Sequence, residues 1–107
     1  MLMTTNIMTG KRNLITDVAG IRVGHAHNHQ VLSGVTVIVP DDAAIAGVNI
    51  SGGAPATRET DALDATCLVD AVHAIVFAGG SVFGLDAASG VAGWLAARGR
   101  GFAFGSQ

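Results

Sequence analysis

Three imidazoles alternate with other residues in His25-Ala26-His27-Asn28-His29. In an extended chain, side chains two residues apart share one face at a spacing of about 7 Å. Such an array can close on a zinc ion. The stretch from Asn28 to Ser33 reads as a turn, however, which breaks that face, and no acidic fourth ligand stands at a telling spacing. The reading is exposed turn histidines, with metal ligation as the sharper alternative. Cys67 is the only cysteine, which excludes an internal disulfide and suits a reducing compartment. Its ordinary role is that of a small buried hydrophobe.

Two glycine-rich segments compete with the histidines. The first is Gly79-Gly80-Ser81-Val82-Phe83-Gly84, placed between an apolar run and a helical pattern. Free backbone N–H groups at a helix start attract anions, but the detailed nucleotide motifs fail. A dinucleotide fingerprint needs glycine where Ser81 stands, and a P-loop needs Lys then Ser or Thr where Leu85 and Asp86 stand. What stays open is a plain structural turn or a turn lining a substrate pocket. The second segment is Ser51-Gly52-Gly53-Ala54-Pro55-Ala56-Thr57-Arg58-Glu59-Thr60-Asp61. It reads as a surface loop with a helix cap, in which Arg58 pairs with Glu59 or Asp61. No Ser–His–Asp order follows from these spacings.

Elements must position these residues, and the composition says of what kind. Of the 107 residues, half are hydrophobic and 13% charged, with a net charge of −2. That is too apolar for disorder, and without a basic run it carries no nucleic-acid footprint. No charged start followed by an apolar core marks a signal peptide. No apolar stretch reaches the roughly 18 residues of a membrane span, so a soluble cytoplasmic protein is expected.

Residues 1–13 read as a flexible tail. Ile21 and Val23 begin a strand. Val35-Thr36-Val37-Ile38-Val39, stopped by Pro40, gives the strongest strand signal. Ala44–Ile50 is a third candidate strand, and a short helix capped by Thr60 or Asp61 runs through Leu63, Cys67 and Leu68. Val72–Ala78 reads as a strand buried on both faces. Ser81 caps a helix from Val82 to Arg98, with Ala88, Val91 and Leu95 on one stripe. Arg98 suits its last turn and Gly99 its stop. Phe102-Ala103-Phe104 begins a further strand.

Taken together, Gly52–Asp61, the apolar strand and Gly79–Val91 resemble the motifs of the DmpA-type family. That family includes L-aminopeptidase/D-amidase-esterases, β-peptidyl aminopeptidases and, more distantly, nylon-oligomer hydrolases. Ile15-Thr16-Asp17-Val18-Ala19-Gly20-Ile21-Arg22-Val23-Gly24-His25 is similar to the family's first segment. The likeness covers nearly all of residues 14–107, as the amino-terminal part of a single α/β hydrolase domain.

The resemblance implies an α/β fold, part of a four-layer α-β-β-α sandwich resembling N-terminal-nucleophile hydrolases. It implies a precursor that cuts itself once, with the new amino-terminal Ser or Thr of the downstream piece as nucleophile and its α-amine as base. No metal or organic cofactor is implied. The expected partners are the remainder of the precursor, a small peptide or amide substrate and further copies of the protein. Family members are several-fold longer, and the segments carrying the nucleophile, its supporting residues and the active-site Tyr all lie beyond Gln107. No catalytic residue is therefore carried over. Gly79, Gly80, Ser81 and Phe83 transfer as pocket wall. The alternative is a truncated, non-catalytic binding module on the same scaffold.

Overall fold

A computed structural model describes residues 7–105 of the chain. Residues 1–6 of the expected tail, together with Ser106 and Gln107, lie outside the described residues. Strand β1 (Ile21–Asn28) and strand β2 (Ser33–Pro40) form an antiparallel hairpin. Strand β3 (Ile75–Ala78) pairs antiparallel with β2, giving a sheet in the order β1-β2-β3. With one helix packed on it, this is a small α/β domain.

The hairpin forms for local reasons. Its five consecutive β-branched residues, Val35 to Val39, favour extended backbone, and Pro40 ends the ladder because it has no N–H to give. At the other end, Asn28 Oδ1 accepts from the amides of Gln30 at 2.8 Å and Val31 at 3.3 Å. This side-chain turn closes the loop between Asn28 and its partner Ser33. β1 therefore runs through Asn28, and His25 and His27 belong to a strand rather than to a turn; only His29 is in the turn.

Other expectations need correction. Of the Val72–Ala78 run, only the last four residues pair with β2, and Ile75 and Phe77 are exposed rather than buried. Val72 forms an isolated bridge with Ala44, and the remainder of Ala44–Ile50 is irregular. A strand needs a continuous neighbour to take up its backbone groups, and this segment meets one residue. The expected helix through Cys67 and Leu68 is a single 3-10 turn, Thr60–Leu63. It stops because the Asp64 carboxylate accepts from the Thr66 hydroxyl at 2.6 Å and amide at 2.8 Å, a local alternative to helix. Those two bonds hold the Asp64 carboxyl below its usual range. Cys67 is exposed, not buried; its thiol donates to the Asp61 carbonyl at 3.4 Å.

The Val82–Arg98 helix breaks into α1 (Ser81–Gly84) and α2 (Ala87–Ala96). Ser81 is not its cap. The residue before it, Gly80, has a φ of 97°, Ser81 itself has 58°, and no side chain caps the turn. The end of α2 follows expectation. Gly99 has a φ of 64°, its amide reaches Ala96 O at 3.0 Å, and the Arg100 amide reaches Leu95 O at 3.0 Å. This is the paired Schellman closure. The Arg100 side chain then donates to the Pro40 and Asp41 carbonyls at 2.5 and 3.0 Å, tying the helix end to the end of β2. Phe102–Phe104 is irregular instead of a strand, its two rings meeting edge to face at 4.9 Å.

Strand alternation and the register divide the sheet into two faces. One carries Ala26, Val35, Val37, Val76 and Ala78. The helical segment covers it: Val91 is half-buried, and Leu95, at 9% exposure, is the only buried hydrophobic side chain among the described residues. The other face carries Ile21, Val23, Ile38, Ile75 and Phe77 together with His25, His27 and Thr36; Ile75 is 39% and Phe77 59% exposed, whereas Ile21, Val23 and Ile38 are half-buried. No helix among the described residues lies across it. The radius of gyration is 16.5 Å, against about 13 Å for a compact chain of this length. No described helix is long and apolar enough to cross a membrane.

Candidate functional site

The tight turn from β3 into α1 builds one wall of the site. The Gly79 amide adds a rung beyond β3 by donating to Gly34 O at 2.9 Å. Gly80 and Ser81 reverse the chain through left-handed backbone, and the Gly84 amide closes on Gly80 O at 3.2 Å. A side chain on Gly84 would run into the Gly79 carbonyl. Glycine at position 84 is thus a condition for the turn, not an incidental choice.

Between this turn and the closed end of the hairpin lies an open cleft of about 440 Å³, lined by His27, Asn28, Ser33, Gly79 and Phe83 among others. A neighbouring depression of about 540 Å³ shares His27, Ser33 and Gly79 and adds His29 and Gly80. Of the four residues carried over as pocket wall, Gly79 borders both hollows, Gly80 the second and Phe83 the first; Ser81 borders neither. Phe83 is 88% exposed, its ring standing free at the cleft mouth.

The hairpin wall was not foreseen. His27, Asn28, Ser33 and Gly34 come to the site because the loop after Asn28 pairs it with Ser33, bringing that end of the hairpin beside Gly79. The turn signal was readable in the sequence; which later glycine it would face was not. The His27 and His29 rings meet edge to face at 4.4 Å. His25 is engaged elsewhere, its Nδ1 2.8 Å from Thr36 Oγ1. Among the described residues, no group of three or more His, Cys, Asp or Glu stands close enough to hold a metal ion. The cleft offers amides, imidazoles and one aromatic face, but Asp, Glu, Lys and Cys are missing from its lining.

Arg58 does not pair with Glu59 or Asp61. Its guanidinium reaches across to the junction of α1 and α2, donating to Ser89 Oγ at 3.0 Å and Leu85 O at 3.3 Å, with Asp86 Oδ1 at 3.9 Å. A partner 27 to 31 residues away was invisible to local reading. The two glycine-rich motifs, separate in sequence, are joined by this side chain.

Comparison with known proteins gives a consistent picture. A family model described as "Peptidase family S58" matches residues 13–104. An uncharacterized aminopeptidase of Mycobacterium tuberculosis (strain ATCC 25618 / H37Rv) is 47% identical over 105 residues, covering 88% of this chain and 30% of that protein. Its counterpart in Mycobacterium leprae is 42% identical over 103 residues, covering 89% and 28%. A 6-aminohexanoate-oligomer endohydrolase of Kocuria sp. (strain KY2) is 37% identical over 90 residues, covering 84% and 23%. The chain spans less than a third of the length of these curated relatives. The family match takes in both glycine-rich motifs and all three strands of the sheet, and the chain belongs to peptidase family S58, the DmpA-type peptidases.

Proposed function

We propose that this chain is the amino-terminal segment of a self-processing amide-bond hydrolase, and that its cleft forms one wall of the substrate site. The observation that carries the reading is the partly exposed apolar surface of the sheet, where Ile75 and Phe77 stand in solvent. Ile21, Val23, Ile38, Ile75 and Phe77 lie on a face with no helix across it, although a chain of this length ordinarily buries well over half of its unfolded surface. A second layer from the remainder of the precursor covers that face, and the result is the four-layer α-β-β-α sandwich. The coverage of the relatives, under a third of their length, supports the same reading.

In this assembly Gly79, Gly80 and Phe83, which border the hollows, belong to the substrate wall, and Ser81 shapes the turn that carries them. The nucleophile is the new amino-terminal Ser or Thr of the partner chain. Its α-amine, with an ordinary pKa of about 7.7–8.0, accepts the hydroxyl proton as the oxygen attacks the amide carbonyl. The proton passes to the departing amine, and water then releases the acyl group from the ester. The aminopeptidase names of the mycobacterial relatives favour an amino-terminal residue as the acyl part.

The test is denaturing mass spectrometry of the protein purified from its uninterrupted reading frame, alongside hydrolysis of aminoacyl p-nitroanilides. A second chain beginning with Ser or Thr and release of nitroaniline are expected. A single, stable, monodisperse species without hydrolysis overturns the proposal in favour of a non-catalytic binding module.

A further inference from the structure

We infer that Arg58 is a positioning residue that fixes α1, and with it the Phe83 ring, at the mouth of the cleft. The need for such a residue is visible in α1 itself. The helix is a single turn entered through two consecutive left-handed residues, Gly80 and Ser81, with no side-chain cap. Helices this short do not hold themselves together. Phe83 is 88% exposed, so ring packing does not hold it either. At the far end, Arg58 donates to Leu85 O, just beyond α1, and to Ser89 Oγ in the first turn of α2. A single guanidinium nitrogen, Nη1, thus donates to both acceptors across the break between the helices. Its positive charge also stands at the carboxyl end of α1, where it is favourable.

The consequence reaches the cleft through the chain. α1 and the turn before it place Phe83 on the cleft wall opposite His27. Freed from Arg58, α1 keeps the backbone bonds that run into the junction, from Leu85 N–H to Val82 O and from Asp86 N–H to Phe83 O, and loses its side-chain tie to α2. Arg58 therefore sets the shape of the wall without lining it. The assignment rests on the proposed amide-hydrolase reading only where it predicts kinetics; the geometric claim stands apart from it.

The experiment has two arms. In the first, amide hydrogen exchange is followed in this chain for the wild type, Arg58→Ala, Arg58→Lys and Ser89→Ala. Loss of a charge-assisted double contact is expected to speed exchange at the Gly84 and Leu85 amides by about tenfold in Arg58→Ala, with hairpin amides such as Val23 and Val37 unchanged. Arg58→Lys, whose ammonium stops short of the Nη1 position, recovers only part of the protection, and Ser89→Ala shows a smaller acceleration. Unchanged exchange at Gly84 and Leu85, or equal acceleration in the hairpin, overturns the inference. In the second arm the active assembly is assayed, and Arg58→Lys is expected to raise KM several-fold with kcat within about twofold. A loosened α1 with unchanged KM overturns the positioning role. A wild-type protein that hydrolyses no amide sinks the proposed function, and the exchange arm then decides Arg58 alone.

Discussion

The Asp17 carboxylate collects donors that local sequence brings to it: the Arg12 amide at 2.8 Å, the Leu14 amide at 3.2 Å and the Arg12 guanidinium at 3.2 Å. The Arg12 amide is the largest cause, and together these bonds hold its pKa below the ordinary 3.8. A depressed folded-state pKa contributes stability above the unfolded value, lost as pH falls through the lower folded one. Asp17→Asn is therefore expected to lower the urea midpoint at neutral pH. The gap to wild type should close only in strongly acidic solution, below the usual carboxylate range. A gap independent of pH would show that the charge is not its source. Asp17 and Arg58 also mark the limit of residue-scale reading. Both are polar residues in glycine-containing segments. Asp17 answers to neighbours five residues away or fewer, whereas Arg58 answers to a helix that the chain reaches only after building β3.

Among the elements, those that the sequence specified through their own backbone chemistry are where they were expected. The Val35–Val39 run became β2, lengthened by two residues at its start and by Pro40 at its end. The stripe of Ala88, Val91 and Leu95 faces the sheet, and Gly99 stops the helix. Elements whose existence depends on a neighbour did not follow. Ala44–Ile50, apolar apart from Gly47 and Asn49, meets only Val72, and the run from Val72 to Ala74 has no partner on β2. The break at Leu85–Asp86 was hidden too, because both residues keep helical backbone and only the tight turn at Gly84 redirects the axis. Gly84→Ala tests that turn. The new methyl group meets backbone rather than a movable side chain, so a loss on the order of 1–3 kcal/mol is expected in chemical denaturation. An unaltered midpoint would mean that the turn opens without cost.

At the scale of the whole molecule, the sheet divides the protein into a finished side and an unfinished one. The family could be recognised from two motifs, but the missing layer could not be placed by periodicity, since an apolar strand reads alike whichever layer covers it. Phe77→Asp puts a charge on β3, at the exposed side of the uncovered face beside Ile75. It is expected to reduce self-association of the isolated chain several-fold in light scattering, while preventing assembly with the remainder of the precursor. A variant that still assembles would show that another surface carries the contact.

The bare face also sets a problem of timing. A hairpin and one helix need only local contacts and are complete early, whereas in the proposed precursor a covering layer encoded downstream arrives with the rate of synthesis. At about 5–20 residues per second, a relative-length precursor leaves Ile75 and Phe77 in water for on the order of ten seconds or more. During that interval the sheet has the surface of an aggregation seed and a free edge on β1. For the proposed precursor this predicts that a holding chaperone raises the yield of assembled protein, and that Phe77→Asp relieves that dependence.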